Sequence, residues 1–211
     1  LLSVFLLAAT LILVISFVNN DFGIRYVSEH SSLAMKPIYT WVAFYAGNEG
    51  SLLYVVVVFA VMCAIYNMSK SSKSLKGTNI ILMSIMAFFV LILSTLANPF
   101  VENIFVPEDG RGINPLLTHP GMFFHPPMLM AGLIGTAIPF AIVNGLLITK
   151  TNIDQQIDVI RVWVIVIWAI LAIGLLLGSW WAYTILGWGG YWAWDPIENV
   201  ALMPWLTLTG F

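Results

Sequence analysis

Six of the nine tryptophans in this chain fall between residues 180 and 205: Trp180, Trp181, Trp188, Trp192, Trp194 and Trp205. Among them stand Gly187, Gly189 and Gly190, which allow turns and close backbone approaches that other residues block. An indole offers a broad apolar face and one polar edge. A Gly-rich loop of this composition can therefore lay flat rings against a flat partner. The same composition also suits an aromatic belt where membrane meets water. Three histidines, His30, His119 and His125, add the commonest side-chain ligand for metals. His125 is followed by Pro126 and Pro127, which fix the backbone after it. His119 precedes Pro120-Gly121, a turn signal. His30 sits in a Ser-rich polar loop and reads as merely solvated.

Flat indoles and a well-held imidazole together suit a haem, a large apolar disc whose iron takes an axial ligand such as His. The loop has no histidine of its own, so the ligand must come from elsewhere, and His125 is the best-held candidate. Asp195 and Glu198 would repel the haem propionates. With Pro196 between them they read instead as N-cap, first and third positions of a helix, a capping box. They would then support the loop by fixing where it ends. Arg111 could pair with a propionate, or equally with Glu108 or Asp109.

The elements that must position these groups are membrane helices. Of the 211 residues, 60% are hydrophobic and 9% charged, against roughly 25% charged in soluble domains. The net charge of −2 offers no basic surface for nucleic acid. Cys63 is the sole cysteine, so no internal disulfide or C-x-x-C pair exists. The apolar runs predict an all-α polytopic membrane domain over 1–211. It has about six transmembrane helices, at 1–18, 51–68, 79–97, 128–148 (kinked at Pro139), 162–179 and from 199 onward, with the first and last truncated. The aromatic stretch 38–47 is too short to span and is expected at the interface. Lys70, Lys73 and Lys76 mark one linker as cytoplasmic, and Lys150 and Arg161 flank the other. That puts the loops at 19–50, 98–127 and 180–198 on the outer face. The chain reads as part of a longer or split protein.

The run from Trp188 through Gly189, Gly190, Tyr191, Trp192, Ala193 and Trp194 to Asp195 resembles the tryptophan-rich "WWD" signature of haem-handling membrane proteins used in cytochrome c maturation. Asp195-Pro196-Ile197-Glu198-Asn199, followed by Met203-Pro204-Trp205-Leu206, is similar to the CcmF branch and its NrfE relatives. So, in family order, are Val18 to Phe22, Gly47 to Ser51, Asn98 to Phe100, Asn114 to Leu117 and His125 to Pro127. The resemblance covers nearly the whole chain, as the N-terminal part of such a haem lyase subunit.

It implies that the WWD loop, 180–205 with the start of the next helix, presents haem b for covalent attachment to an apocytochrome c. Trp188, Gly189, Gly190, Tyr191, Trp192 and Trp194 would bind it, and His125 would be an axial ligand. The implied partners are a haem-delivering chaperone, the apocytochrome and, if the protein is split, a second chain. The implied setting is a bacterial or mitochondrial inner membrane, in contact with its lipid. The family's second outer histidine and its membrane-embedded ones would lie beyond these residues, which leaves the chain incomplete for catalysis. Tyr191 stands where the family usually has Trp, Asn48 where many members have His, and His119 where an acid is common. Two other classes compete. A transporter would want ionisable groups inside its spans, which are essentially free of them. A structural subunit of a respiratory complex would not need its loop tryptophans for cytochrome c assembly.

Overall fold

The structure, a computed structural model, describes residues 1–69 and 76–211. Lys70 and Lys73, two of the three lysines expected to mark a cytoplasmic linker, lie outside the described residues. The helices are α1 (Leu2–Val18), α2 (Arg25–His30), α3 (Thr40–Phe44), α4 (Asn48–Met68), α5 (Lys76–Thr95), α6 (His125–Gly135), α7 (Ala137–Thr149), α8 (Ile157–Ile185) and α9 (Pro196–Gly210). Among the described residues α4, α5, the stretch Pro120–Thr149 and α8 are long and apolar enough to cross a membrane, while α1 is shorter. The protein is an all-α polytopic integral membrane protein. Its contacts divide it into two compact units, Leu1–Val57 with Phe88–Phe123, and Val58–Ala87 with Phe124–Phe211.

In the first unit, α1 buries Leu6, Leu13 and Phe17, spaced by seven and four so that they share one helical face. The expected interfacial stretch folds as a 3₁₀ turn, Pro37–Tyr39, leading into α3. Val42, Ala43, Phe44 and Tyr45 are all buried, so the end of this stretch is enclosed in the core, while Ile38 and Trp41 before it stay exposed. The Tyr26 hydroxyl donates to the Phe44 carbonyl (3.0 Å) and accepts from the Gly47 N–H (3.0 Å), locking the turn before α4. Tyr45 donates to the Met122 carbonyl at 2.7 Å. Burial pushes both phenols above the usual tyrosine range.

His30 is not simply solvated. Its Nδ1 donates to the Tyr26 carbonyl (2.9 Å) and its ring lies 4.3 Å from that of Tyr26, tilted by 35°. The loop after α5 is tied back to the start of α2. Arg25 N–H donates to Val101 O, and Asn103 N–H to Gly23 O, both at 2.8 Å.

In the second unit, the span expected to kink at Pro139 breaks just before it, at Thr136, between α6 and α7. Pro139 has no N–H for the carbonyl four residues back, on Gly135, which is the last residue of α6. Thr136 closes α6 by donating its hydroxyl to Leu133 O at 2.7 Å. Helix α6 packs closely on α8. A Cβ at Gly132 would stand 2.5 Å from Leu171 Cγ, the small-residue contact that lets membrane helices approach.

Helix α8 has 29 residues, about 43 Å at 1.5 Å each, well beyond the 162–179 expected. Its last turns carry Trp180, Trp181 and Tyr183, so the loop proper begins after Ile185. Helix α9 returns along α8, with the Trp168 and Trp205 rings stacked at 5.7 Å and the Trp168 indole N–H donating to Thr209 Oγ1 at 2.8 Å. Cys63, on α4, is buried.

Candidate functional site: an aromatic cleft beside His125

The turn between α8 and α9 is held at its far end by a complete capping box. Asp195 Oδ1 accepts from Glu198 N–H at 2.7 Å. Glu198 Oε2 accepts in return from Asp195 N–H (3.3 Å) and also from Ala193 N–H (2.8 Å). Pro196 occupies the first turn, where its missing donor costs nothing. Both acids thus do what the sequence predicts: their oxygens are engaged with the backbone that ends the loop.

Inside the loop, Gly187 (φ +74°), Gly189 (φ +75°) and Trp194 (φ +59°) take the left-handed conformation. For a bulky residue such as Trp194 this is unusual. Asn199 steadies it by donating its side-chain amide to the Trp194 carbonyl at 3.0 Å. The Trp188 indole N–H donates to Gly190 O at 2.7 Å and closes the tip.

Between this loop and α6 lies a cleft of about 230 Å³, walled by His125, Trp181, Trp188 and Trp192 and edged by Asp195 and Glu198. His125 opens α6, and its Nδ1 donates to the Gly174 carbonyl of α8 at 2.8 Å. A carbonyl can only accept, so Nδ1 carries the proton and Nε2 keeps its lone pair. This is how proteins hold a histidine ready for a metal. The Trp181 ring runs nearly parallel to the imidazole, at 14° and 6.3 Å between centroids.

These residues suit a haem. One imidazole with a free nitrogen suffices for a metal whose macrocycle brings its own ligands, and flat aromatic walls match its faces. The Trp192 indole N–H is buried with no partner among the described residues, a donor still to be satisfied. Ligand pockets usually enclose about 300–1,000 Å³, so this cleft would hold part of such a disc and leave the rest outside.

Of the expected site residues, His125, Trp188 and Trp192 come together on the cleft. Gly189 and Gly190 flank Trp188 in the loop but do not line the cleft. Tyr191 and Trp194 do not line it: Tyr191 stacks on Tyr183 at 4.3 Å and 6°, and Trp194 meets Trp192 edge-on at 5.9 Å. Trp181, counted in the 180–205 cluster but not among the individual haem-binding residues, and Gly174 complete the set. The pattern Gly174-x-x-x-Gly178 on a membrane helix is the signal that marks a close approach there.

His119 accepts from the Gly121 N–H through Nδ1 at 3.0 Å, as its turn motif suggests. Arg111 lies 3.9 Å from Glu29 rather than against Glu108 or Asp109. Asp109 is taken up by the N–H groups of Leu33 and Gly110. Arg111 lines a different hollow, with Arg25, Glu29 and Asn103.

The cleft thus sets one imidazole among several indoles on a helical membrane protein. Residues 45–211 match the model of a family described as cytochrome C assembly protein, and the chain belongs to that family. It is 37% identical over 209 residues to the cytochrome c-type biogenesis protein NrfE of Haemophilus influenzae, covering 96% of this chain and 33% of that protein. It is 38% identical over 213 residues to CcmF of Pseudomonas fluorescens (97% and 32%) and 37% identical over 207 residues to CcmF of Escherichia coli (95% and 32%), both cytochrome c-type biogenesis proteins. The chain spans about a third of the length of these curated relatives. No solved structure matches it.

Proposed function

We propose that the cleft holds haem b, as cargo, and presents it for covalent attachment to an apocytochrome c, with His125 as an iron ligand and Trp188 and Trp192 as walls. The observation that carries this reading is His125, its Nδ1 proton tied to Gly174 on a cleft walled by indoles. The family and the names of the relatives support the same process.

Haem supplies the vinyl groups that cysteine thiols of the apocytochrome would add to, while this chain binds and orients the disc. The partners would be a chaperone that delivers haem, the apocytochrome, and a further segment or second chain bringing the remaining ligands. Within the second unit, His125 and the loop sit at one end of α6–α7 and α8, while Lys150 and Arg161 mark the other end. The positive-inside rule then favours an outer, periplasmic or intermembrane, location for the cleft.

The test is the Soret band of the purified protein titrated with haem, with and without His125→Ala. The band should weaken and shift when the imidazole is lost. An unchanged spectrum would overturn the ligand role.

A further inference from the structure

We infer that Gly178 is a positioning residue for His125: by having no side chain, it opens a seat on α8 for the imidazole and bares the Gly174 carbonyl that selects its tautomer. This rests on the reading of His125 as an iron ligand.

The Gly174 carbonyl belongs to a helix, where it already faces the N–H of residue 178. In an α-helix side chains lean toward the N-terminus and cover the turn before their own Cα. A side chain at 178 would therefore lie over the flank from which a second donor must reach Gly174 O. That second donor is His125 Nδ1, at 2.8 Å. A Cβ built at Gly178 overlaps the imidazole Cε1, and stands 2.7 Å from Nδ1 and 3.1 Å from Nε2. The overlap falls on a rigid ring rather than on the tip of a flexible chain, so the whole imidazole must move to relieve it.

The ring would have to retreat by roughly 1 Å to regain ordinary carbon contact near 3.5–4.0 Å. A hydrogen bond stretched that far is largely lost. Nδ1 would then no longer be the obligatory donor, and Nε2 would no longer be reserved as the lone-pair nitrogen.

Gly174 has a different task. A Cβ there would stand 2.9 Å from Leu129 N and 3.1 Å from Leu129 Cα, so its bareness admits the backbone of α6. The two glycines, one turn apart on one face, thus divide the work. One brings α6 close, and the other receives the imidazole that α6 carries at its start.

Two measurements on the purified protein test this. The first is ¹⁵N NMR of the three histidines without haem. Wild-type His125 should be an Nδ1–H tautomer, and Gly178→Ala should lose that signature. An Nε2–H tautomer in wild type, or an unchanged one in the variant, overturns the inference.

The second is haem titration. Gly178→Ala should bind about 10–100-fold more weakly, the usual effect of removing a ligand's supporting hydrogen bond. Gly132→Ala overlaps Leu171 in the same helix contact and should bind as wild type. Equal losses in the two would mean that only α6–α8 packing is at stake and overturn the inference. Should Gly178→Ala not fold, His125→Gly supplemented with free imidazole serves. Imidazole should restore the haem spectrum and show the Nδ1–H tautomer, and failure of the added ring to adopt it counts against the seat. A His125→Ala protein that binds haem normally sinks the ligand reading instead, and the haem-free NMR result still decides the seat on its own.

Discussion

Replacing Asp195 by alanine removes the one side-chain acceptor for the Glu198 N–H, a 2.7 Å bond at a helix start. Loss of such a cap costs about 1 kcal/mol, roughly a fivefold change in a local opening equilibrium. Asp195→Asn keeps an acceptor oxygen of the same reach and loses only the charge facing the helix dipole, about 0.3–1 kcal/mol. Glu198→Ala removes two backbone contacts, to Ala193 (2.8 Å) and Asp195 (3.3 Å), and should be at least as costly as Asp195→Ala. Because both acids hold the same turn, the double alanine variant should cost less than the sum of the single ones.

Amide hydrogen exchange reads these effects. Protection of the Ala193, Asp195 and Glu198 amides should fall in the order wild type, Asp195→Asn, Asp195→Ala, while amides in the middle of α8 hold steady. Haem affinity should follow the same order, because the cap fixes the loop that carries Trp188 and Trp192. The reasoning fails if Asp195→Asn destroys haem binding while the amides stay protected. That result would make the carboxylate a direct contact with the ligand.

Within the loop, Gly189→Ala should destabilise the turn by about 1–2 kcal/mol, because φ of +75° is disfavoured for any residue with a Cβ. Gly190→Ala, in an ordinary conformation with its nearest neighbour Trp188 at 3.5 Å, should be nearly neutral; loop tryptophan fluorescence during denaturation separates the two. Alkaline pH should loosen the first unit. Tyr26 and Tyr45 have folded-state pKa values raised by burial, so their stabilising effect is complete below the unfolded value near 10 and is lost as pH rises beyond it. Phenolate absorbance should show late-titrating tyrosines, and Tyr26→Phe should remove one of them.

The capping box was legible because it is written in four consecutive residues, Asp195 to Glu198, whose chemistry is local. His125 was legible because two prolines follow it. The end of α8 was not: after Ser179 come Trp180, Trp181, Ala182 and Tyr183, and nothing punctuates the helix before Gly187. That hid the placement of Trp181 on the last turns of α8, from which it walls the cleft. The partners of Arg111 and His30 were hidden for a different reason. Glu29 lies 3.9 Å from Arg111 although more than eighty positions separate them in sequence. The Tyr26 ring beside His30 lies four positions away, and it is the short helix α2, read in the sequence as a loop, that brings the two rings together at 4.3 Å. Motif membership grouped Trp194 with Trp188 and Trp192. The left-handed backbone at Trp194 turns it outward instead, 68% exposed.

The buried position of the lone thiol, Cys63, has a practical consequence. Since the one thiol among these 211 residues is buried, a cysteine introduced at the exposed loop residue Ala193 gives them an accessible handle for a membrane-impermeant maleimide. Labelling in intact cells against opened ones then reports which compartment the aromatic turn faces, without disturbing any group that walls the cleft.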